Sequence, residues 1–293
     1  MKKYIRGSIN SGRRARQQPL WKRILKNRIF LLGVLGVLVL TAIILIMVAV
    51  GRGGQDTAQL DGQKEEITVA ICDYENSFCR LNTQTGAYEG FEIDFIRALM
   101  ERIYGEDIFI EFASHSSQTA SAAVVRNEAD IAVAMLPSGI SKTQGFVITD
   151  AYYQDEIAVL VNQNSPIASL EDLDGKTVGI LYTMMPETIV EDYISENNLD
   201  TKLIMLASLE DCATELANGT LDAVIGPKQH LMLASYEGGK FLGDSLGNIG
   251  YRVILSPNAS GNTQSIYNAE IEQMLSDGTI ESLTKKWNLD YLF

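Results

Sequence analysis

The sequence predicts an α/β protein of two lobes, held behind one transmembrane helix. Three observations predict it: an uncharged apolar run at residues 29–50, a strand-then-helix alternation that begins at Ile67, and a restart of that alternation at Ile157. Each is taken in chain order.

The apolar run carries no charge and no proline, and its only glycines are Gly33 and Gly36. As a helix its 22 residues reach about 33 Å, against about 30 Å for a bilayer core. A secretory h-region is shorter, roughly 7 to 15 residues. Ten Lys and Arg and no acid precede the run, so the positive-inside tendency keeps residues 1–28 in the cytoplasm and exports the rest. Trp21 and Phe30 sit where interfacial aromatics belong. A long cleaved signal peptide is the alternative reading, with Val48-Ala49-Val50 as a weak cleavage site. Residues 51–65 are polar and glycine-bearing and read as a linker, reaching roughly 20 Å as a flexible coil.

Removing the ten basic charges of the tail from the net charge of −13 leaves −23 on residues 29–293. So acidic a domain repels nucleic acid and anionic surfaces. Three cysteines are present, Cys72, Cys79 and Cys212. An exported domain permits disulfides, and Cys72 and Cys79 are close enough in sequence to close a small loop; Cys212 falls on the apolar face of a helix and reads as inert core. No metal-ligand spacing occurs and no cofactor is implied. His115 and His230 are far apart in sequence, and each reads as a surface or helix-end residue.

From Ile67 the elements follow by periodicity. Residues 67–71 form a strand. Phe95, Ile96, Leu99, Met100 and Ile103 form one helical stripe. A strand follows at 108–112, a helix at 120–127 and a strand at 131–134. The second half opens with a strand at 157–161, then a short capped helix at 169–173 ended near Gly175. A strand at 177–181 precedes a helix opened by Pro186, where proline is tolerated. Ser208 and Asp211 resemble a capping box for a helix buried along Leu209, Cys212, Ala213, Leu216 and Ala217 and stopped at Gly219. Strands at 221–225 and 251–255 follow, then helices through Ile266, Ile271, Met274 and Leu275 and through Ile280, Leu283 and Trp287. Such alternation implies mostly parallel strands. Ligands of open α/β sheets sit beyond the carboxyl ends of the strands, and with two lobes that site is a cleft closed by hinge motion.

Six segments, in order, resemble the extracytoplasmic solute-binding proteins of ABC importers, in their polar-amino-acid branch. They are Gly90-Phe91-Glu92-Ile93-Asp94, Ala129-Asp130-Ile131-Ala132, Thr149-Asp150-Ala151-Tyr152-Tyr153, the run Ser169 to Gly179, Asn218-Gly219-Thr220-Leu221-Asp222-Ala223 and Asp277-Gly278-Thr279-Ile280. The resemblance implies a two-lobe, type 2 periplasmic-binding-protein fold over residues 66–293. The first lobe then takes residues 66–155 and 250–293, and the second takes 156–249.

The same resemblance implies where a ligand would sit, and there the match weakens. The family's carboxylate-holding arginine, suited to two-pronged hydrogen bonding, maps to Lys142. The threonine before it maps near Pro137, the Gly-Thr-Thr turn to Thr183-Met184-Met185, the ammonium-binding acid near Gly226-Pro227, and the aromatic stacker near Glu75, with Phe78 retained. Candidate ligand-binding residues are therefore Asp73, Glu75, Phe78, Met135, Lys142, Tyr182, Thr183 and Met184. Phe78, Met135, Tyr182, Met184 and Met185 would supply a soft apolar wall; either Lys142 would then meet an anionic group, or Asp73 and Glu75 a cationic one. The methionines and Phe78 also fit ordinary core.

Two functions stay open. In the first, the chain is a membrane-tethered receptor delivering a small polar solute to an ABC-type importer. In the second, its site is degenerate and the domain is a sensor or scaffold for a membrane signalling or transport partner. A dehydratase on the same fold is the remote third. Such an enzyme needs anion-holding arginines and a placed general acid, yet Arg80, Arg97, Arg102, Arg126 and Arg252 all miss the clamp position, and no nucleophile, zinc or phosphate-loop motif is present. Glu187 and Glu191 stand at helical spacing on what reads as a solvated face.

Overall fold

The computed structural model describes residues 64–137, 146–181, 184–185, 187–234 and 236–293. The expected span at 29–50, its flanks, and Lys142, Tyr182, Thr183 and Pro186 lie outside the described residues. Among the described residues no helix is long and apolar enough to cross a membrane.

Ten strands are described. Eight form one mixed sheet: β1 (Glu66–Ile71), β4 (Phe109–Ser114), β5 (Ile131–Ala132), β6 (Val147–Asn162), β7 (Thr177–Leu181), β8 (Lys202–Leu206), β9 (Ala223–Pro227) and β10 (Gly239–Leu255), in the order β4-β1-β5-β10-β6-β9-β7-β8. A hairpin of β2 (Arg80–Asn82) and β3 (Ala87–Glu89) stands apart. Parallel pairing holds at both ends of the sheet, β1 with β4 and β5, and β7 with β8 and β9. The centre departs from the mostly parallel expectation. There β6 and β10, of 16 and 17 residues, run antiparallel to each other and to their outer neighbours. Sequence periodicity marks only their apolar ends, 157–161 and 251–255; their middles are set by pairing with each other.

Side chains alternate between the faces along each strand, as the pleat requires. Val69, Ile71, Ile131 and Val133 enter one apolar cluster, while Ala70, Ala132 and Ala134 enter another on the opposite face. The first cluster is covered by α1 (Phe91–Tyr104) and α6 (Gly261–Ser276), whose Phe95, Leu99, Ile271 and Met274 are fully buried. The second meets α2 (Ser117–Val125) through Ala120 and Ala123, small residues that let helix and sheet approach closely. Around β7 and β9 two further clusters repeat the arrangement, with Val190 of α3 (Thr188–Glu196) on one face and Cys212 and Leu216 of α4 (Leu209–Ala217) on the other. The described chain therefore has two cores, each an α/β/α stack, sharing one sheet through β6 and β10.

The chain end returns to the first core. In α7 (Thr279–Lys286) Ile280 is fully buried, and Trp287 Nε1 and Lys286 Nζ donate to Asp94 Oδ2 at 2.6 and 2.7 Å. Gly90 has a physical reason. Its φ is 140°, and a Cβ there would stand 2.2 Å from Phe78 O, because α1 starts against residues 77–78 (Phe91 N to Ser77 O, 2.8 Å; Glu92 N to Phe78 O, 3.0 Å). Four short elements were not read from periodicity, the hairpin strands β2 and β3, the edge strand β8 and α5 (Lys228–Leu233). The segment read as a short helix at 169–173 is a single 3-10 turn at Glu171–Leu173. Cys72, Cys79 and Cys212 are buried thiols, without the disulfide that the 72–79 spacing allowed.

Candidate functional site

The carboxyl ends of β1 and β5 lead into loops beside β10, and β9 leads directly into α5, whose His230 packs against Tyr74 after β1 and Tyr251 of β10. Tyr74 Oη donates to Ala134 O at 2.7 Å, tying the loop after β1 to the loop after β5. Pro137 pairs with Tyr251 as an isolated antiparallel bridge, tying the latter loop to β10. Strain marks the same place. Five non-glycine residues among those described have positive φ. Three are asparagines, which tolerate that region; the other two are Glu75 (φ 55°) and Met135 (φ 48°), one on each of these loops. Strained backbone of this kind persists where the surroundings over-determine it, and it clusters at ligand-binding places.

The candidate residues divide by burial. Asp73 is half-buried and its Oδ1 accepts from Glu75 N at 3.0 Å, so the two acids form one turn, with Glu75 exposed. Phe78 is fully buried, edge-on to Phe91, Tyr153 and Tyr251 with centroids 5.7, 5.0 and 6.0 Å away. Met135 is also fully buried, inside the first core. Met184 and Met185 belong to the second core, 8% and 2% exposed. Phe78 and Met135 therefore act here as packing beneath the loop surfaces.

A polar network that the sequence did not suggest runs under these loops. Glu92, the acid of the Gly-aromatic-acid motif, is fully buried, and its Oε1 accepts from Tyr152 Oη (2.5 Å) and Met135 N (2.7 Å). The second bond pins the strained Met135. Burial pushes the carboxyl up to about 7, against the pull of those two hydrogen bonds. Asp155, on β6 at the join between the two cores, is 2% exposed; its Oδ2 accepts from Tyr251 Oη (2.5 Å) and from Gln229 N (3.0 Å), and its Oδ1 from Glu156 N (2.9 Å). Burial raises it to about 6. Beside it Lys228 Nζ meets Glu156 Oε2 at 2.7 Å. Of the two expectations for His230, surface or helix-end residue, the second holds: it lies in the last turn of α5, and it is 1% exposed. Its Nδ1 lies 3.0 Å from Tyr251 Oη, and its ring is edge-on to Tyr251 and Tyr74, with centroids 5.5 and 6.4 Å away. Only Glu92 carried a signal in the sequence, an acid on the apolar side of an amphipathic helix.

Each described arginine side chain has a partner outside these loops, although Arg252 itself follows Tyr251 and its backbone N–H donates to Leu136 O at 3.0 Å. Arg80 pairs with Glu89, Arg102 with Asp277 and Arg126 with Glu128; Arg97 lies over Phe112, and Arg252 donates to Thr149 O. No group of three or more His, Cys, Asp or Glu among the described residues could hold a metal ion. A concavity of about 620 Å³ opens elsewhere, at the amino end of β1 beside Lys64, Asp130, Ser260 and Tyr267.

A mixed sheet with two long antiparallel central strands shared by two α/β/α cores has the form of a periplasmic-binding-protein fold. Residues 67–290 match the family model of bacterial extracellular solute-binding proteins, family 3, and the chain belongs to that family. Among curated proteins it is 23% identical over 265 residues to the ABC transporter glutamine-binding protein GlnH of Bacillus subtilis, covering 86% of this chain and 95% of that one. It is 20% identical over 210 residues to the ABC transporter arginine-binding protein 1 of Escherichia coli, covering 68% and 81%. Among solved structures, the probable amino-acid ABC transporter extracellular-binding protein ytmK of Bacillus subtilis superposes with a TM-score of 0.61 at 19% identity, over 76% of this chain and 97% of that one. An ancestral arginine-binding protein bound to arginine gives 0.57 at 22% identity, over 77% and 99%.

Proposed function

We propose that this chain is a membrane-tethered extracytoplasmic receptor that captures a small amino-acid-like solute between its two lobes and delivers it to an ABC-type importer. The observation that carries the reading is the meeting of the loops after β1 and β5 with α5 and β10 through Tyr74, His230, Pro137 and Tyr251, with the strained Glu75 and Met135 on those two loops. Family membership and relatives named for glutamine and arginine binding support it. The tether is residues 29–50, with residues 1–28 cytoplasmic and residues 51–65 as the linker. The lobes are residues 66–155 with 250–293, and residues 156–249. The solute contacts are Asp73, Glu75, Lys142, Tyr182, Thr183 and Met184, with Phe78 and Met135 backing them.

Thermal unfolding of the purified full-length chain, run against a panel of amino acids, amines and amides, tests this. A solute that binds the folded state alone raises the melting point, and at about 100 times its Kd it adds about 2.7 kcal/mol. A panel without a single shift removes the reading. A second reading, a degenerate site on a sensor or scaffold, is favoured by the arginines: a carboxylate clamp built on one of the five described would need it released from the partner it holds. Intact cells treated with protease test the tether, which predicts loss of residues 66–293 and protection of an amino-terminal tag.

A further inference from the structure

Three residues at the join form a directed chain. Tyr251 has one hydroxyl proton, and it goes to Asp155 Oδ2 at 2.5 Å. His230 Nδ1, 3.0 Å from the Tyr251 hydroxyl oxygen, must therefore carry the ring proton and donate it to that oxygen. The other ring nitrogen is then a bare lone pair. His230 Nε2 is buried and has no hydrogen-bond partner among the described residues. The neighbouring hydroxyl cannot serve it, because Tyr74 donates to Ala134 O at 2.7 Å. Imidazole nitrogens point in divergent directions, so Nε2 faces away from the Tyr251–Asp155 pair. A buried acceptor without a donor is unfavourable, and in a native fold it calls for an explanation.

We propose that His230 is the specificity-determining acceptor of the cleft: its Nε2 takes an N–H from an amine or amide of the bound solute, while Tyr251 and Asp155 are positioning residues that hold the tautomer. The inference rests on the solute-binding reading and names the chemistry it selects. His230 enters the join from the second core's α5, whereas Tyr74 and Tyr251 approach from the first, so a donor lodged against Nε2 would bridge the two cores. Burial drops the imidazole to about 3, which keeps it neutral and purely accepting at physiological pH. Recognition by a neutral acceptor needs a donor on the solute and not a positive charge, so an uncharged amide qualifies as well as an ammonium. An acid in this position would favour the ammonium.

The chain contains two histidines, His115 and His230, so nitrogen NMR of the full-length chain labelled with ¹⁵N-histidine is simple to assign with His115→Gln. Without solute at pH 7, His230 is expected as the neutral Nδ1–H tautomer with an unprotonated Nε2; an Nε2–H tautomer or a charged ring overturns the proposal. L-Arginine, L-glutamine and agmatine are then titrated in. A probe that binds should move the Nε2 resonance upfield, as acceptance of a hydrogen bond does. His230→Phe keeps a ring but removes the acceptor and should weaken that probe about tenfold or more with the far-ultraviolet dichroism retained. Asp155→Asn can donate to Tyr251, and it should produce a mixture of tautomers. If a probe binds but leaves Nε2 unmoved, or binds the folded His230→Phe variant equally, the role of His230 falls and the receptor reading stands. If no probe binds the wild type, both fall together. If His230→Phe does not fold, the wild-type tautomer and its response to the probe decide the matter alone.

Discussion

Glu92 and His230 are buried with opposite preferences for a proton. Burial raises Glu92 from 4.5 to about 7, so the folded chain holds its proton more tightly than the unfolded chain does. The stability that follows is complete below pH 4.5 and is lost as pH rises to 7. Burial lowers His230 from 6.5 to about 3, so its contribution is complete above pH 6.5 and is lost as pH falls toward 3. Asp155, raised from 3.8 to about 6, has the sign of Glu92. Between pH 4.5 and 6 two of these slopes fall and one rises, so wild-type stability should decline there with the net slope of a single group, about 1.4 kcal/mol per pH unit. Glu92→Gln removes one of them: the amide oxygen still accepts from Tyr152 and Met135 but cannot titrate. At about 1.4 kcal/mol per pKa unit the wild type loses roughly 3 kcal/mol between pH 4.5 and 7 that the variant does not. Urea midpoints at pH 5 and 7.5 check this, and parallel pH profiles for the two proteins would contradict the burial argument.

Helices α4 and α5 show two ways of starting. Ser208 caps α4 from its own chain, its Oγ accepting from Asp211 N at 3.0 Å, as its spacing in the sequence predicts. Helix α5 opens after Pro227, which has no side-chain acceptor, and it takes its cap from Asp155 on β6, 74 residues away in sequence. Ser208→Ala should cost about 1 kcal/mol. Asp155→Ala should cost more, about 2 to 3 kcal/mol, because it also leaves the Tyr251 hydroxyl buried without its acceptor. Chemical denaturation ranks the two, and equal effects would show that the Asp155 contacts add nothing beyond a cap. The same contrast explains what could be read in advance. A cap three residues from its partner is visible in the sequence; a cap delivered by a distant strand is not, and α5 with its six residues has too little periodicity of its own to show itself.

The whole described chain has two cores but one sheet, so its cores should not melt separately. Leu216 is fully buried in the second core, where truncation to alanine typically costs 2 to 5 kcal/mol. Trp287 belongs to the periphery of the first core and is held by Asp94. If β6 and β10 couple the cores, Leu216→Ala shifts the unfolding midpoint read from Trp287 fluorescence as far as the one read from far-ultraviolet dichroism. Two separated transitions would mean that the crossing strands act as a loose hinge.

Local pattern determined much of this protein. The strands at 67–71 and 177–181, the stripe of α1, the Ser208 cap and the six ordered segments that resemble the solute-binding family were all legible, because each depends on neighbours within a few residues. Tertiary structure decided the rest. It put Phe78 and Met135 beneath the surface instead of on it, held Met135 in a left-handed conformation through Glu92, and made the helix-end His230 a buried acceptor. The last of these depends on Asp155, Tyr251 and Tyr74 meeting around His230, contacts separated by up to 156 positions of chain (230 − 74) and created only when the sheet forms. Burial then sets the proton affinities, because the cost of charge depends on the surrounding medium, which one chain segment alone does not determine.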